Sequence, residues 1–126
     1  MNTWFTEVLD AHVAIENWLS EGSGDVGALL ARFPAAFSMI GLSGAVLDHS
    51  KLSQFFRASQ AAKPGLTIAI DEMTLVSEWT DGAVVSYREI QSLPGSAPTQ
   101  RRSTVVFSLS SAGIGWRHLH ETPISG

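Results

Sequence analysis

Cysteine is absent from the 126 residues of this sequence, so no disulfide and no thiolate metal site can form. A reducing cytoplasm is the expected compartment. Basic residues are few: 8 Lys and Arg stand against 12 Asp and Glu, for a formal net charge of -4. They are scattered, and the closest cluster is Arg101 and Arg102. Phosphate neutralisation needs a basic stripe, so no nucleic-acid partner is expected. No stretch approaches the roughly 18 apolar residues of a membrane-spanning helix, so no membrane partner is expected either. Met1 to Asp10 lacks a basic n-region and a long apolar run, and it does not read as a signal peptide. No serine sits in a G-x-S-x-G elbow, and no glycine-rich loop could cradle a phosphate. Repeats and low-complexity segments are also missing.

What is present suits one α+β domain over residues 1–126. Hydrophobic residues make up 44% and charged residues 16%, too apolar a balance for disorder. The first third has helical spacing. Thr3 is the expected cap of a helix whose stripe is Phe5, Val8, Leu9, Ile15, Trp18 and Leu19, ended by Gly22-Ser23-Gly24. Asp25 caps a second, short helix through Leu29, Leu30 and Phe33, stopped by Pro34. Phe37 to Ile40 and Ala45 to Leu47 read as short strands around a turn. Asp48 caps a third helix, with Leu52, Phe55, Phe56 and Ser59 on one face, and Lys63-Pro64-Gly65 stops it.

From Leu66 the period changes to that of strands. Leu66 to Ser77, Ala83 to Leu93, Thr99 to Ser110 and Ile114 to Thr122 are four long strands joined by short turns, hence antiparallel neighbours. Helices followed by a meander imply that the helices cover one face of the sheet. Alternation assigns to that covered face Ala83, Val85, Tyr87, Glu89 and Gln91, then Arg101, Ser103, Val105, Phe107 and Leu109, then Ile114, Trp116, His118, His120 and Thr122. Each row is apolar at one end and polar at the other. The expectation is a cavity with an apolar floor and a polar rim, the usual form of a small-ligand site. Glu89 should lie near Arg101 across its strand pair.

Several constellations were open to a chemical reading. Tyr87 and Glu89 with His120 have the groups for general acid–base work, since a buried carboxylate has a raised pKa. The alternative is a structural Glu89–Arg101 ion pair. The His118-x-His120 pair has chelating spacing, but Arg101 nearby would repel a cation, so no metal and no cofactor are expected. His12 and Glu16, four apart on the first helix, read as a solvated face. Asp48-His49 reads as a cap, and Asp71 and Glu72 should point to opposite faces. Trp4, Trp18, Trp79 and Trp116 read as core or dimer-interface residues.

The residues Phe37-Ser38-Met39-Ile40 followed by Gly44, Tyr87-Arg88-Glu89-Ile90-Gln91, Arg101-Arg102-Ser103-Thr104 and His118-Leu119-His120-Glu121-Thr122 together resemble the nuclear-transport-factor-2-like superfamily, of cystatin-like α+β fold. The closest likeness is to its bacterial branch near polyketide-cyclase-like (SnoaL-like) proteins and the association domain of calcium/calmodulin-dependent kinase. The resemblance covers nearly the whole chain. It implies a conical cavity between sheet and helices and a homodimer through the outer face of the sheet, with Arg88, Ile90, Thr104 and Val106 as candidates for that contact. It does not fix an activity, because the superfamily holds enzymes and adaptors alike. A partly apolar small molecule is the expected ligand, its carbonyl or carboxylate directed at Arg101, Tyr87 and His120. Gln91, Ser103, Trp116, His118, Phe37 and Phe55 complete the expected site. The alternatives are an isomerase, dehydratase or cyclase with Glu89 or His120 as base, and a non-catalytic dimerisation module.

Overall fold

The computed structural model describes residues 2–125. Its elements run in the order α1 (Thr3–Glu21), α2 (Val26–Leu30), β1 (Ser38–Ile40), β2 (Val46–Asp48), α3 (His49–Ala58), β3 (Thr67–Trp79), β4 (Gly82–Ser92), β5 (Thr99–Ser110) and β6 (Gly113–Ile124). The six strands form one sheet in the order β2-β1-β6-β5-β4-β3. Only β1 and β6 are parallel; the other neighbours are antiparallel. Among the described residues no helix is long and apolar enough to cross a membrane.

Local chemistry explains most boundaries. The cap of α1 is Asn2, one residue before the expected Thr3, and its side chain accepts the Phe5 N–H at 2.8 Å. Gly22 ends α1 at φ +69, a conformation that costs glycine little. Asp25 and Asp48 cap α2 and α3 as the sequence predicts, taking the N–H of Gly27 and of Lys51. α2 stops at Leu30, short of Phe33.

Helix α1 buries Trp4, Val8, Ala11, His12, Trp18 and Leu19. Opposite it, β4 buries Ala83, Val85, Tyr87 and Glu89, and β5 buries Ser103, Val105 and Phe107. Both rows follow the expected alternation. Aromatic rings fill one end of this layer. Phe107 stacks on Trp4 at 5.6 Å and meets Trp116 edge-on at 5.0 Å. Of the four tryptophans three are buried, whereas Trp79 is 45% exposed at the end of the edge strand.

Of three register shifts in the sheet, two re-aim side chains that bear on the site and the outer face. In β5–β6 the register runs Val106↔His118 and then Phe107↔Trp116, so Arg117 is an extra residue on β6. A bulge of this kind switches which side chains face the core. In β3, Asp71 pairs with Arg88 but Thr74 pairs with Ser86, and Glu72 sits at φ +52. Asp71 and Glu72 therefore reach the same guanidinium, that of Arg88, on the outer face. The expectation that they point to opposite faces fails for this reason.

Candidate functional site

A chamber of about 400 Å³ lies between the sheet and the helices. Ile15 and Leu19 of α1, Phe33, Phe37, Met39, Leu52, Phe56, Trp116 and Leu119 supply its apolar walls. Leu42, Ser43 and Phe55 border it while exposed to solvent, so the mouth lies there. His12, Glu89, Gln91, Arg101 and Glu121 make up the polar side, and Lys63 also borders the chamber.

His12 and Glu89 form a buried pair, with His12 Nε2 at 3.2 Å from Glu89 Oε1. On its other side, His12 Nδ1 stands 2.7 Å from the Val8 carbonyl oxygen. A carbonyl can only accept, so Nδ1 carries a proton. Burial opposes the imidazolium, but the hydrogen bond to Glu89, its charge and the Val8 carbonyl outweigh this and raise the His12 pKa above 6.5. Burial likewise pushes Glu89 up. The hydrogen bond and charge of His12, the Gln91 amide and Arg101 outweigh that, and the carboxyl lies below 4.5. Gln91 Nε2 donates to Glu89 Oε2 at 2.6 Å. Glu89 is thus a stabilised carboxylate and a weakened base, not the raised-pKa group expected of a buried acid.

Arg101 is directly opposite Glu89 in the β4–β5 ladder, as expected. Its hydrogen-bonded carboxylate is nevertheless that of Glu121, with Nη1 to Oε2 at 2.7 Å. The expected Glu89–Arg101 pair is replaced by two pairs, His12–Glu89 and Arg101–Glu121. Tyr87 lies deeper, its ring edge-on to His12 at 5.3 Å. Burial, helped by the charges of Glu89 and Glu121, pushes its phenol well above the usual 10.0. Ser103 is also buried, directly opposite Tyr87 in the β4–β5 ladder, and its hydroxyl offsets part of the rise in the Tyr87 pKa.

The chain aligns with the 1.5 Å crystal structure of an NTF2-like protein of unknown function from Pseudomonas aeruginosa at 42% identity, covering 97% of this chain and 98% of that one, with a TM-score of 0.91. The chain belongs to the nuclear-transport-factor-2-like (NTF2-like) family. More distant likenesses show the same fold. An NTF2-like protein of unknown function in nutrient uptake from Rhodospirillum rubrum matches at 18% identity and a TM-score of 0.73, over 99% of this chain and 100% of that one. An NTF2-like protein from Cytophaga hutchinsonii matches at 16% identity and a TM-score of 0.73, over 98% and 100%. No family model and no curated protein matches the chain.

In this NTF2-like cavity the expected residues divide. Glu89, Gln91, Arg101, Trp116, Phe37 and Phe55 line it, while Tyr87 and Ser103 lie buried outside its lining. His118 and His120 do not face it. After the bulge at Arg117 they pair with Val106 and Thr104, whose side chains point outward, while Leu119 and Glu121 turn inward. His118 Nδ1 instead meets Ser38 Oγ at 2.7 Å on the outer face, and His120 is exposed. A base at His120 and a ligand contact at His118 within the chamber do not fit this geometry.

Sequence reasoning missed four polar residues of the NTF2-like site, His12, Ser43, Lys63 and Glu121. His12 was placed on a solvated face, yet it lies four residues from Val8 and seven from Leu19, on the buried stripe itself. Its neighbour in that reading, Glu16, accepts the Ile68 N–H at 2.6 Å instead. For Glu121 the available signal was the spacing of Trp116 and Leu119. Two large apolar residues three apart cannot share a face of a regular strand, so a bulge lies between them.

Proposed function

We propose that this NTF2-like chain binds a small, largely apolar molecule in the chamber between its sheet and helices. One observation carries the reading: a volume of about 400 Å³ with aromatic and aliphatic walls and a single polar side. That size and lining fit small-molecule sites, which typically span roughly 300–1,000 Å³. The polar side orients the ligand; the walls supply most of the contact area. Arg101, Gln91 and Glu121 are the groups that would meet its polar end, with Phe37, Phe55 and Trp116 against its carbon frame. Both oxygens of Glu89 are already engaged, by His12 and Gln91, which argues for binding rather than proton abstraction as the task of this side.

Native mass spectrometry of the purified protein tests the reading, with a retained small molecule as the expected result. Trp116 lines the chamber, so its fluorescence should respond saturably to a small apolar probe. Met39→Phe, which fills the chamber from β1, should abolish that response while leaving the melting temperature nearly unchanged. An unliganded mass together with no saturable response to any apolar probe would count against the proposal.

The open outer face of the sheet supports a second proposal, pairing of two copies through Arg88, Ile90, Thr104 and Val106. Asp71 and Glu72 lie beside Arg88 and Arg102 there, so the face carries both signs and can complement itself. Sedimentation at micromolar concentration should give twice the chain mass. A single-chain mass would overturn this second proposal alone.

A further inference from the structure

The polar side of the chamber keeps free hydrogen-bond donors. Both ring nitrogens of His12 and both oxygens of Glu89 already have protein partners. Arg101 gives one N–H, from Nη1, to Glu121. A guanidinium carries five N–H groups, and no second protein acceptor meets those of Arg101 among the described residues. Its side chain is 18% exposed, so the free edge is reachable from the chamber that it lines.

The charges tell the same story. His12 balances Glu89, and Arg101 balances Glu121. Lys63 also borders the chamber and forms no ion pair among the described residues, so it is a cation left for a ligand to meet. A bound anion would meet the Lys63 ammonium and the free N–H groups of Arg101, and a bound cation would be repelled by both.

Resting on the small-molecule reading above, we infer that the chamber takes an organic anion: a compact, apolar carboxylic acid whose carboxylate is held by the free edge of the Arg101 guanidinium. The planar guanidinium can hold two carboxylates at once on different edges. Glu121 takes one and fixes the side chain before the ligand arrives. The ligand takes the other, and its carbon frame lies against Phe33, Phe37, Phe56 and Leu119. Walls that exclude water strengthen the charge-assisted hydrogen bonds at this end. A neutral amide of the same shape fits the walls and loses the charge assistance. An amine of the same shape meets the positive edge of Arg101.

Calorimetric titration of the full chain with cinnamate, cinnamamide and cinnamylamine, at one fixed ionic strength, tests this. Cinnamate should bind about tenfold more tightly than cinnamamide, the difference expected between charged and neutral hydrogen bonding. Arg101→Gln should weaken cinnamate about tenfold and cinnamamide much less, closing the gap between the two. Arg101→Lys, run beside it with melting curves for both, keeps the charge and should retain part of the preference if the fold is intact. Glu121→Gln, which removes the competing negative charge beside Arg101, should tighten cinnamate. Equal binding of acid and amide by the unaltered protein, or preference for the amine, would overturn the anion assignment and leave the small-molecule reading standing. Failure of all three to bind would overturn the anion assignment, and the small-molecule reading would fall with it only if the native mass is also unliganded and no apolar probe gives a saturable response.

Discussion

Two consecutive arginines on β5 meet opposite surroundings. Arg101 faces the chamber and pairs with Glu121, their side chains 18% and 10% exposed; Arg102 faces outward and pairs with Glu72, at 60% and 48%. The neighbouring strand β4 repeats the contrast. Glu89 turns inward to His12, and Arg88 turns outward to Asp71 and Glu72. The partners are chemically alike on both faces, and the difference lies in the water around them. Inside, a charge that loses its partner has nothing to replace it, so each pair fixes where protons sit and which way side chains point. Outside, water and salt substitute for a lost partner, and the network contributes mainly to surface pattern and register. The inner face holds chemistry in place; the outer face presents it to whatever approaches.

The sharpest way to break this comparison is to remove one member of the inner pair. Glu89→Leu leaves His12 buried beside an apolar side chain and should cost about 3 kcal/mol, the lower end for breaking a buried pair. Glu89→Gln should cost less, about 1–2 kcal/mol, because the amide can donate to the bare Nε2 of a neutral His12. Urea unfolding reads both. Equal, small losses from the two substitutions would show that the inner pair is solvated like the outer ones.

A second test uses neighbours on β6 that the bulge sends to opposite faces. Leu119→Ala should cost about 2 kcal/mol as a core truncation. His120→Ala should stay within about 0.5 kcal/mol, as expected of a surface change. Strict alternation after Trp116 would make these effects trade places, so the pair measures the bulge directly.

That strand also marks where reading the sequence stops. The inner faces of β4 and β5 are legible because both rows alternate without interruption from Ala83 to Glu89 and from Ser103 to Phe107. The caps Asp25 and Asp48 are legible because short polar side chains before a helical stripe have one common use. A single extra residue at Arg117 is enough to reverse the assignment of His118, Leu119, His120 and Glu121. Glu72 does the same on β3 through its positive φ. Bulges depend on the pairing of two strands, and local pattern records them only faintly. The choice of partners is harder still. Arg101 is opposite Glu89 as register demands, yet the bulge brings Glu121 to it, and α1 brings His12 to Glu89.

Acidity gives a third, smaller effect, and its sign follows from the directions of the two shifts. His12 has its folded pKa above 6.5, so its contribution to stability is complete below 6.5 and is lost as pH rises through the folded value. Glu89 has its folded pKa below 4.5, so its contribution is complete above 4.5 and is lost as pH falls through the folded value. The pair therefore stabilises most between pH 4.5 and 6.5. The difference in unfolding free energy between the unaltered protein and Glu89→Gln should be greatest in that window and shrink on both sides. A difference that keeps growing above neutral pH would mean that His12 is neutral in the folded chain.

The smallest effect belongs to the outer face. Arg88 Nε donates to Asp71 Oδ1 at 2.7 Å, a geometry as good as any inside. The Arg88 hydrogen bond and charge hold the Asp71 carboxyl below its usual 3.8 although water reaches it. Good geometry alone does not make such a pair stabilising when both partners are well solvated. Asp71→Asn should move the melting temperature only slightly at low salt and not at all near about 1 M salt, where screening acts within roughly 3 Å. Glu89→Gln, measured in the same buffers, should keep its full cost, because salt does not enter the space between His12 and Glu89. If both losses faded together with salt, exclusion of water from the chamber would not be what separates the two faces, and the inner pair would have to be treated as one more surface contact.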